Sequence, residues 1–228
     1  ARHEAARHEA ATARDDAARP PGEPAGRTAP CAPRAIALRL DVRDEPAFRA
    51  AWTEAEARLG PIDVLVNDAA IMGPSSPWTT TLEQWDAVMA TNLRGTFVGC
   101  RIAGAAMRAR GRGGRIVNLS SYAGRYPSRA SGLAYAASKA GIDALTRGFA
   151  MELAPDRVTV NAVAPSAIEG PQWDAVEPAR RDALVAQVPV GRPGRADEVS
   201  AVVLWLASDA AAYVTGQVID ANGGRGMR

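Results

Sequence analysis

Tyr135 and Lys139 stand four residues apart in the stretch LAYAASKAGI, residues 133–142. On a helix that spacing puts both side chains on one face. Lys139 is also the only lysine in the chain: of 27 basic residues, the other 26 are arginine. A tyrosine ionises near pH 10, so only about one in a thousand is phenolate at neutrality. Acid–base work near pH 7 therefore asks for about three units, or roughly 4 kcal/mol, of help. A neighbouring ammonium stabilises the phenolate in that direction. Lysine suits the task better than arginine, being a compact charge with three rotatable donors that can serve two partners. The plain alternative is an exposed helix lysine, the commonest fate of that residue.

The elements that must position such a pair follow from hydrophobic patterning. AIALRLDV (35–42) reads as a buried strand, followed by a helix at 45–59 with Phe48, Trp52, Ala55 and Leu59 on one face and Pro46 in its first turn. IDVLVN (62–67) reads as a second strand, 81–110 as helical, and RIVNLSS (115–121) as a third strand. A long helix at 132–153 turns Ile142, Leu145, Phe149 and Leu153 inward. RVTVNAVAP (157–165) is a fourth strand, 196–207 a helix and QVID (217–220) a last strand. Short apolar strands alternating with helices imply an α/β fold with a parallel sheet covered on both faces. In such sheets ligands sit beyond the carboxyl ends of the strands, which draws attention to Asp41, Asn67, Ser120, Ser121 and Pro165.

Composition narrows the function classes. The net charge is +2 with arginines scattered along the chain, so no basic stripe points to nucleic acid. No apolar run approaches the roughly 18 residues that span a bilayer. Two cysteines, Cys31 and Cys100, are too few and too distant for a disulfide framework. A soluble cytoplasmic protein is the expectation. Both histidines, His3 and His8, lie in the first ten residues, which argues against a Ser-His-Asp hydrolase. In HEAARH the second histidine falls at i+5, off the face that a zinc-binding HExxH helix needs, and no metal site is expected.

Taken together, the motifs resemble the short-chain dehydrogenase/reductase family. Tyr135 and Lys139 match its Tyr-x-x-x-Lys pair. IVNLSSYAG (116–124) is similar to the strand that carries the family's catalytic serine, which maps to Ser121, and TNLRGTF (91–97) to the segment with its catalytic asparagine, Asn92. IDVLVNDAAI (62–71), RVTVNAVAP and the C-terminal LASDAAAYVTGQVIDANGG resemble further family segments in the right order, over residues 35–224. The overall look is of 3-oxoacyl-carrier-protein reductase-like and glucose dehydrogenase-like members.

The resemblance implies a Rossmann-like doubly wound parallel sheet and an NAD- or NADP-dependent exchange between a ketone and a secondary alcohol. Tyr135 would be the acid or base and Ser121 would hydrogen-bond the substrate oxygen. Lys139 would contact the nicotinamide ribose and lower the tyrosine pKa, and Asn92 would hold a relay water. Asp41 and Val42 would flank the adenine and Pro165 and Ile168 the nicotinamide, with Asn67 and Ala69 also at the cofactor. The expected partner is a small carbonyl or alcohol substrate, within a homo-tetramer or homo-dimer built through the helices at 92–110 and 132–153. The segment 169–187 occupies the substrate-loop position, where Trp173, and also Trp78 and Tyr126, are candidate pocket residues. Each site residue has a plain reading beside this one: Ser120 and Ser121 as strand-end hydroxyls, Asn92 as a cap and Asp41 as a turn former.

One family segment is missing from the pattern. The strand and glycine-rich turn whose backbone amides receive the cofactor pyrophosphate have no counterpart; before residue 60 the only glycines are Gly22 and Gly26, in a proline-rich loop. The sheet is therefore expected to start at the family's third strand, with the first two absent. Residues 1–34 are expected to be a poorly ordered or helical tail and linker, and 35–228 the Rossmann-like domain. An N-terminally incomplete chain is the simplest expectation, and a non-catalytic binding or oligomer partner is the competing function.

Overall fold

The structure, a computed structural model, describes residues 35–127 and 131–227. Four strands form a parallel sheet in the order β1 (Val64–Asn67), β2 (Gly114–Leu119), β3 (Val158–Pro165), β4 (Val218–Ala221). Asn67 pairs with Asn118, Leu119 with Val163 and Pro165 with Ala221, so all four carboxyl ends open on the same side. Parallel neighbours require long crossovers. Between β1 and β2 the crossover is α2 (Leu82–Val88), a π-turn (Met89–Arg94) and α3 (Gly95–Arg110). The long α4 (Leu133–Leu153) joins β2 to β3. Two short helices, α5 (Pro171–Asp174) and α6 (Pro178–Val185), and then α7 (Ala196–Ala207) join β3 to β4. Ahead of β1 lies α1 (Glu45–Leu59), capped by the Asp44 carboxylate, which accepts from the Ala47 amide.

Strand alternation divides the apolar residues between two cores. Ile116, Val158 and Val160 face Phe48, Trp52, Val98, Met107 and Leu153 from α1, α3 and α4. Val117 and Val163 face Leu206 and Ala211 on the other side, with Val199, Val202 and Val203 of α7 packed on them. These helix layers are what the doubly wound reading requires.

Three details differ from the sequence reading. Residues 35–42 do not form a strand: they alternate between exposed and half-buried, as a strand would, yet pair with no strand among the described residues. Leu40 and Val42 still pack on the first core, so the hydrophobic pattern is real while the ladder that would define a strand is lacking. The helical stretch 81–110 is interrupted by the π-turn. The third strand ends at Leu119, which leaves Ser120 and Ser121 beyond the ladder. The tail expected over 1–34 lies outside the described residues. No helix among the described residues is long and apolar enough to cross a membrane.

Candidate active site

Ser121 follows β2 in extended backbone, and its hydroxyl accepts from the Ala123 amide at 3.1 Å, capping the single turn Tyr122–Gly124. That turn lies against the lysine's helix. A Cβ on Gly124 would come within 3.0 Å of the Lys139 carbonyl carbon and the Ala140 nitrogen, so glycine permits the close approach. The Ser121 hydroxyl thereby comes near the Tyr135 phenol, whose ionised form it favours. The plain reading of Ser121 as a local hydroxyl cap is what the backbone shows, and the cap stands beside the phenol.

Lys139 is 3% exposed, and its Nζ donates to the Leu119 carbonyl at 2.6 Å while lying 5.5 Å from the Tyr135 ring centroid. Burial pushes its pKa down from 10.5 to about 8, against the pull of Asp68 and Asp143. The Tyr135 phenol moves the opposite way to the expected one. Burial pushes its pKa up, the Ser121 hydrogen bond works downward, and the Asp68 carboxylate adds to the rise. The lowering expected from Lys139 does not emerge: its ammonium is directed at the Leu119 carbonyl, and the loss of water disfavours phenolate.

Asn92 is fully buried in the π-turn. Its Nδ2 donates to the Ile71 carbonyl at 2.9 Å and to Ser138 Oγ at 3.1 Å, and its Oδ1 accepts from the Ile71 amide at 2.8 Å. Ser138 in turn donates to the Tyr135 carbonyl at 2.7 Å. Asn92 therefore ties the segment after β1 to the first turns of α4. The extra residue of a π-turn turns a side chain toward the sheet edge that regular helix would point elsewhere.

The remaining candidates divide. The Asn67 carboxamide is turned into the sheet, donating to Asn118 Oδ1 at 2.9 Å beside the buried Cys100 thiol, so only its backbone is left facing the strand end. Asn118 continues the chain to Thr146 Oγ1 of α4 at 3.0 Å. Ala69 is exposed just past β1. Pro165 closes β3, and Ile168 bridges to Gly194. Val42 packs so closely on the start of α3 that a Cβ on Gly95 would fall 2.8 Å from it. Asp41 is exposed and paired with Arg43, whose guanidinium holds the carboxyl down to about 2. Asp41 lines a groove of about 1170 Å³ with Arg94, Phe97 and Leu145; none of Ser121, Tyr135 and Lys139 lines it.

A nicotinamide dinucleotide can be tested against these residues. Its ribose end fits: a buried ammonium with three donors and a phenol stand together past β2. Its pyrophosphate end wants a glycine-rich turn from a strand into a helix N-terminus, and the described residues contain none. Ser138, Asp68 and Asp143 were not among the sequence candidates. The signal for Asp143 was available, since 135, 139 and 143 share one helical face. Asp68 needed the register of β1 against β2.

Comparison with known proteins bears on the family and the fold. The enoyl-(acyl carrier protein) reductase family model matches residues 3–225. A 3-oxoacyl-[acyl-carrier-protein] reductase of Thermotoga maritima is 40% identical over 187 residues, covering 81% of this chain and 74% of its own. The crystal structure of a 3-oxoacyl-[acyl-carrier protein] reductase from Brucella melitensis superposes with a TM-score of 0.80 at 36% identity, over 86% of this chain and 73% of its own. Another Brucella melitensis structure, named a ribose-5-phosphate isomerase, gives 0.76 at 34% identity over 82% of this chain and 72% of its own. The fold thus carries more than one named activity, and the choice falls to the site residues. Motif order, sheet and sequence similarity agree that this chain belongs to the short-chain dehydrogenase/reductase family of oxidoreductases, among its 3-oxoacyl-carrier-protein reductase-like members.

Proposed function

We propose that the protein is an NAD(H)- or NADP(H)-dependent oxidoreductase that interconverts a ketone and a secondary alcohol, with Tyr135 as the acid or base. The observation that carries this reading is the meeting of Ser121, Tyr135 and Lys139 beyond β2. When bound, the dinucleotide supplies or takes the hydride. Lys139 and Tyr135 would hold its nicotinamide ribose, Pro165 and Ile168 would border the ring, and Asp41 and Val42 would flank the adenine.

In reduction the substrate oxygen accepts from Ser121 and Tyr135, and Tyr135 Oη delivers the proton as negative charge builds on that oxygen. The raised phenol stays protonated through neutral pH but is the weaker acid for it, so proton delivery relies on the charge that builds on the substrate oxygen. A tyrosine that stays protonated above neutrality is ready as an acid, whereas alcohol oxidation calls for the phenolate and is favoured as pH rises. Asn92 orders the approach to α4 through Ser138 and the Ile71 backbone. The relatives' named substrate makes a 3-oxoacyl thioester the first carbonyl to try.

The test starts with titration of the full chain by NADH and NADPH separately, following nicotinamide fluorescence, and continues with a carbonyl screen. Tyr135→Phe is expected to lower turnover about 10²- to 10⁴-fold with dinucleotide affinity kept. Failure of a folded sample to bind either dinucleotide would overturn the reading. It would favour the second one, a non-catalytic family member, for which the lack of a pyrophosphate cradle among the described residues speaks. As assembly we propose a homo-dimer or homo-tetramer through α3 and α4, supported by the exposed Phe97 and Met151 on those helices. A monomeric mass by sedimentation would refute it.

A further inference from the structure

Lys139 is a buried cation on an otherwise mostly apolar stretch of helix, and an isolated buried charge tends to neutralise itself. Two carboxylates bear on it from opposite sides. Asp143 lies one helical turn further along α4 and is 3% exposed. Its Oδ1 accepts from Ser120 Oγ at 2.5 Å, and its Oδ2 lies 3.5 Å from Arg125 Nε. Arg125 is anchored in turn to β4, where it pairs with Asp220 and donates to the Val218 carbonyl at 3.3 Å. Ser120 Oγ also lies 3.3 Å from the Lys139 carbonyl, so this carboxylate is held against the lysine's own turn.

Asp68 comes from the other side. Asn67, the last residue of β1, pairs with Asn118; Asp68 follows the first and Leu119 the second, and Leu119 is the residue whose carbonyl takes the Lys139 ammonium. Asp68 is exposed at the strand end and is felt by both Lys139 and Tyr135. The charged or titratable groups around Lys139 are therefore Asp68 after β1, Tyr135 and Asp143 on α4, and Arg125, with Asp220 behind it.

We propose that Asp68 and Asp143 are positioning residues that act through Lys139: one carboxylate at the open strand end and one locked beneath the helix keep its ammonium charged and aimed at the Leu119 carbonyl. Arg125 and Ser120 fix the buried member in place. In catalysis the consequence rests on the oxidoreductase reading, since a charged Lys139 stabilises the phenolate left when Tyr135 gives up its proton. Asp68 opposes that step by its own charge on Tyr135. The exposed carboxylate therefore biases the phenol toward its acid form.

Because Lys139 is the sole lysine, the test needs no assignment. The full chain is grown with lysine carrying carbon-13 at Cε, and its single resonance is followed against pH without any ligand. The wild-type midpoint is expected near 8. Asp68→Asn and Asp143→Asn are each expected to lower it by about half a unit to one unit, up to a tenfold change in the proton-binding constant. A purely structural role for either residue would leave the midpoint of a folded variant where it was. If Asp143→Asn does not fold, Asp143→Ser removes the same carboxylate with a smaller polar side chain, leaves Arg125 on Asp220, and carries the same expectation. Unchanged midpoints in folded variants overturn the proposal, for one carboxylate or for both. The measurement stands even if no dinucleotide binds, so failure of the functional reading and failure of this one are separately visible.

Discussion

Burying Lys139 ties the stability of the whole fold to pH in a direction opposite to that of most salt-bridged residues. Its pKa is near 8 when folded and 10.5 when exposed, with burial the leading cause. For a lysine a lowered folded value means that the folded state disfavours the charged form. The penalty is fully present below about pH 8 and fades as pH rises through 10.5, above which both states are neutral. Each unit of separation is worth about 1.36 kcal/mol, so raising the pH from about 8 to 10 should stabilise the protein by roughly 2 to 3 kcal/mol through this residue alone. Tyr135, with its raised pKa, contributes stability below the ordinary tyrosine range that is lost at higher pH, so readings should stop near pH 10. The assay is urea unfolding of wild type and Lys139→Met at several pH values between about 7 and 10. In the difference between the two curves every other titrating group cancels. Wild type should gain on the variant steadily through that window. A difference that stays flat, or that falls as pH rises, would refute the claim that Lys139 is held at a desolvation penalty.

Other expectations follow from single contacts. Asn92→Ala strips partners from both polar backbone groups of Ile71, and urea unfolding should show a loss of about 2–3 kcal/mol; a loss below about 0.5 kcal/mol would mean that water or a neighbour replaces them. Gly113 sits at φ 80°, and a Cβ there would meet the Arg157 carbonyl oxygen at 2.6 Å. Gly113→Ala should therefore destabilise by about 2 kcal/mol or more in the same assay, whereas Ala at open Gly148 should not. Burial pushes the Cys100 thiol up to about 12, so a maleimide at pH 8 should leave it unmodified until urea is added. Peptide mapping would separate it from Cys31, and rapid labelling of the native protein would contradict the burial.

Much of this protein was legible in its sequence because the signals are local. Helical period placed Tyr135 and Lys139 on one face, and short apolar runs between helical stretches found β1 to β4 and implied a sheet covered on both faces. Residue type alone made Lys139 stand out. What could not be read were the outcomes of long-range neighbours. Residues 35–42 carry a strand's pattern, yet pairing depends on a second chain segment that the pattern does not contain. Asn67 looks like a ligand residue at a strand end, but the small Gly99 on α3 leaves room for its carboxamide to turn inward to Asn118. The π-turn that aims Asn92 at Ile71 is a change in hydrogen-bond phase that no residue type announces. The charge balance was the least legible of all. Spacing says that a lysine lies near a tyrosine; only the packed structure says that the ammonium is given to the Leu119 carbonyl and that burial raises the phenol. Proximity along a helix is set by geometry four residues at a time, whereas a pKa sums water lost and charges gained from every element packed around the group.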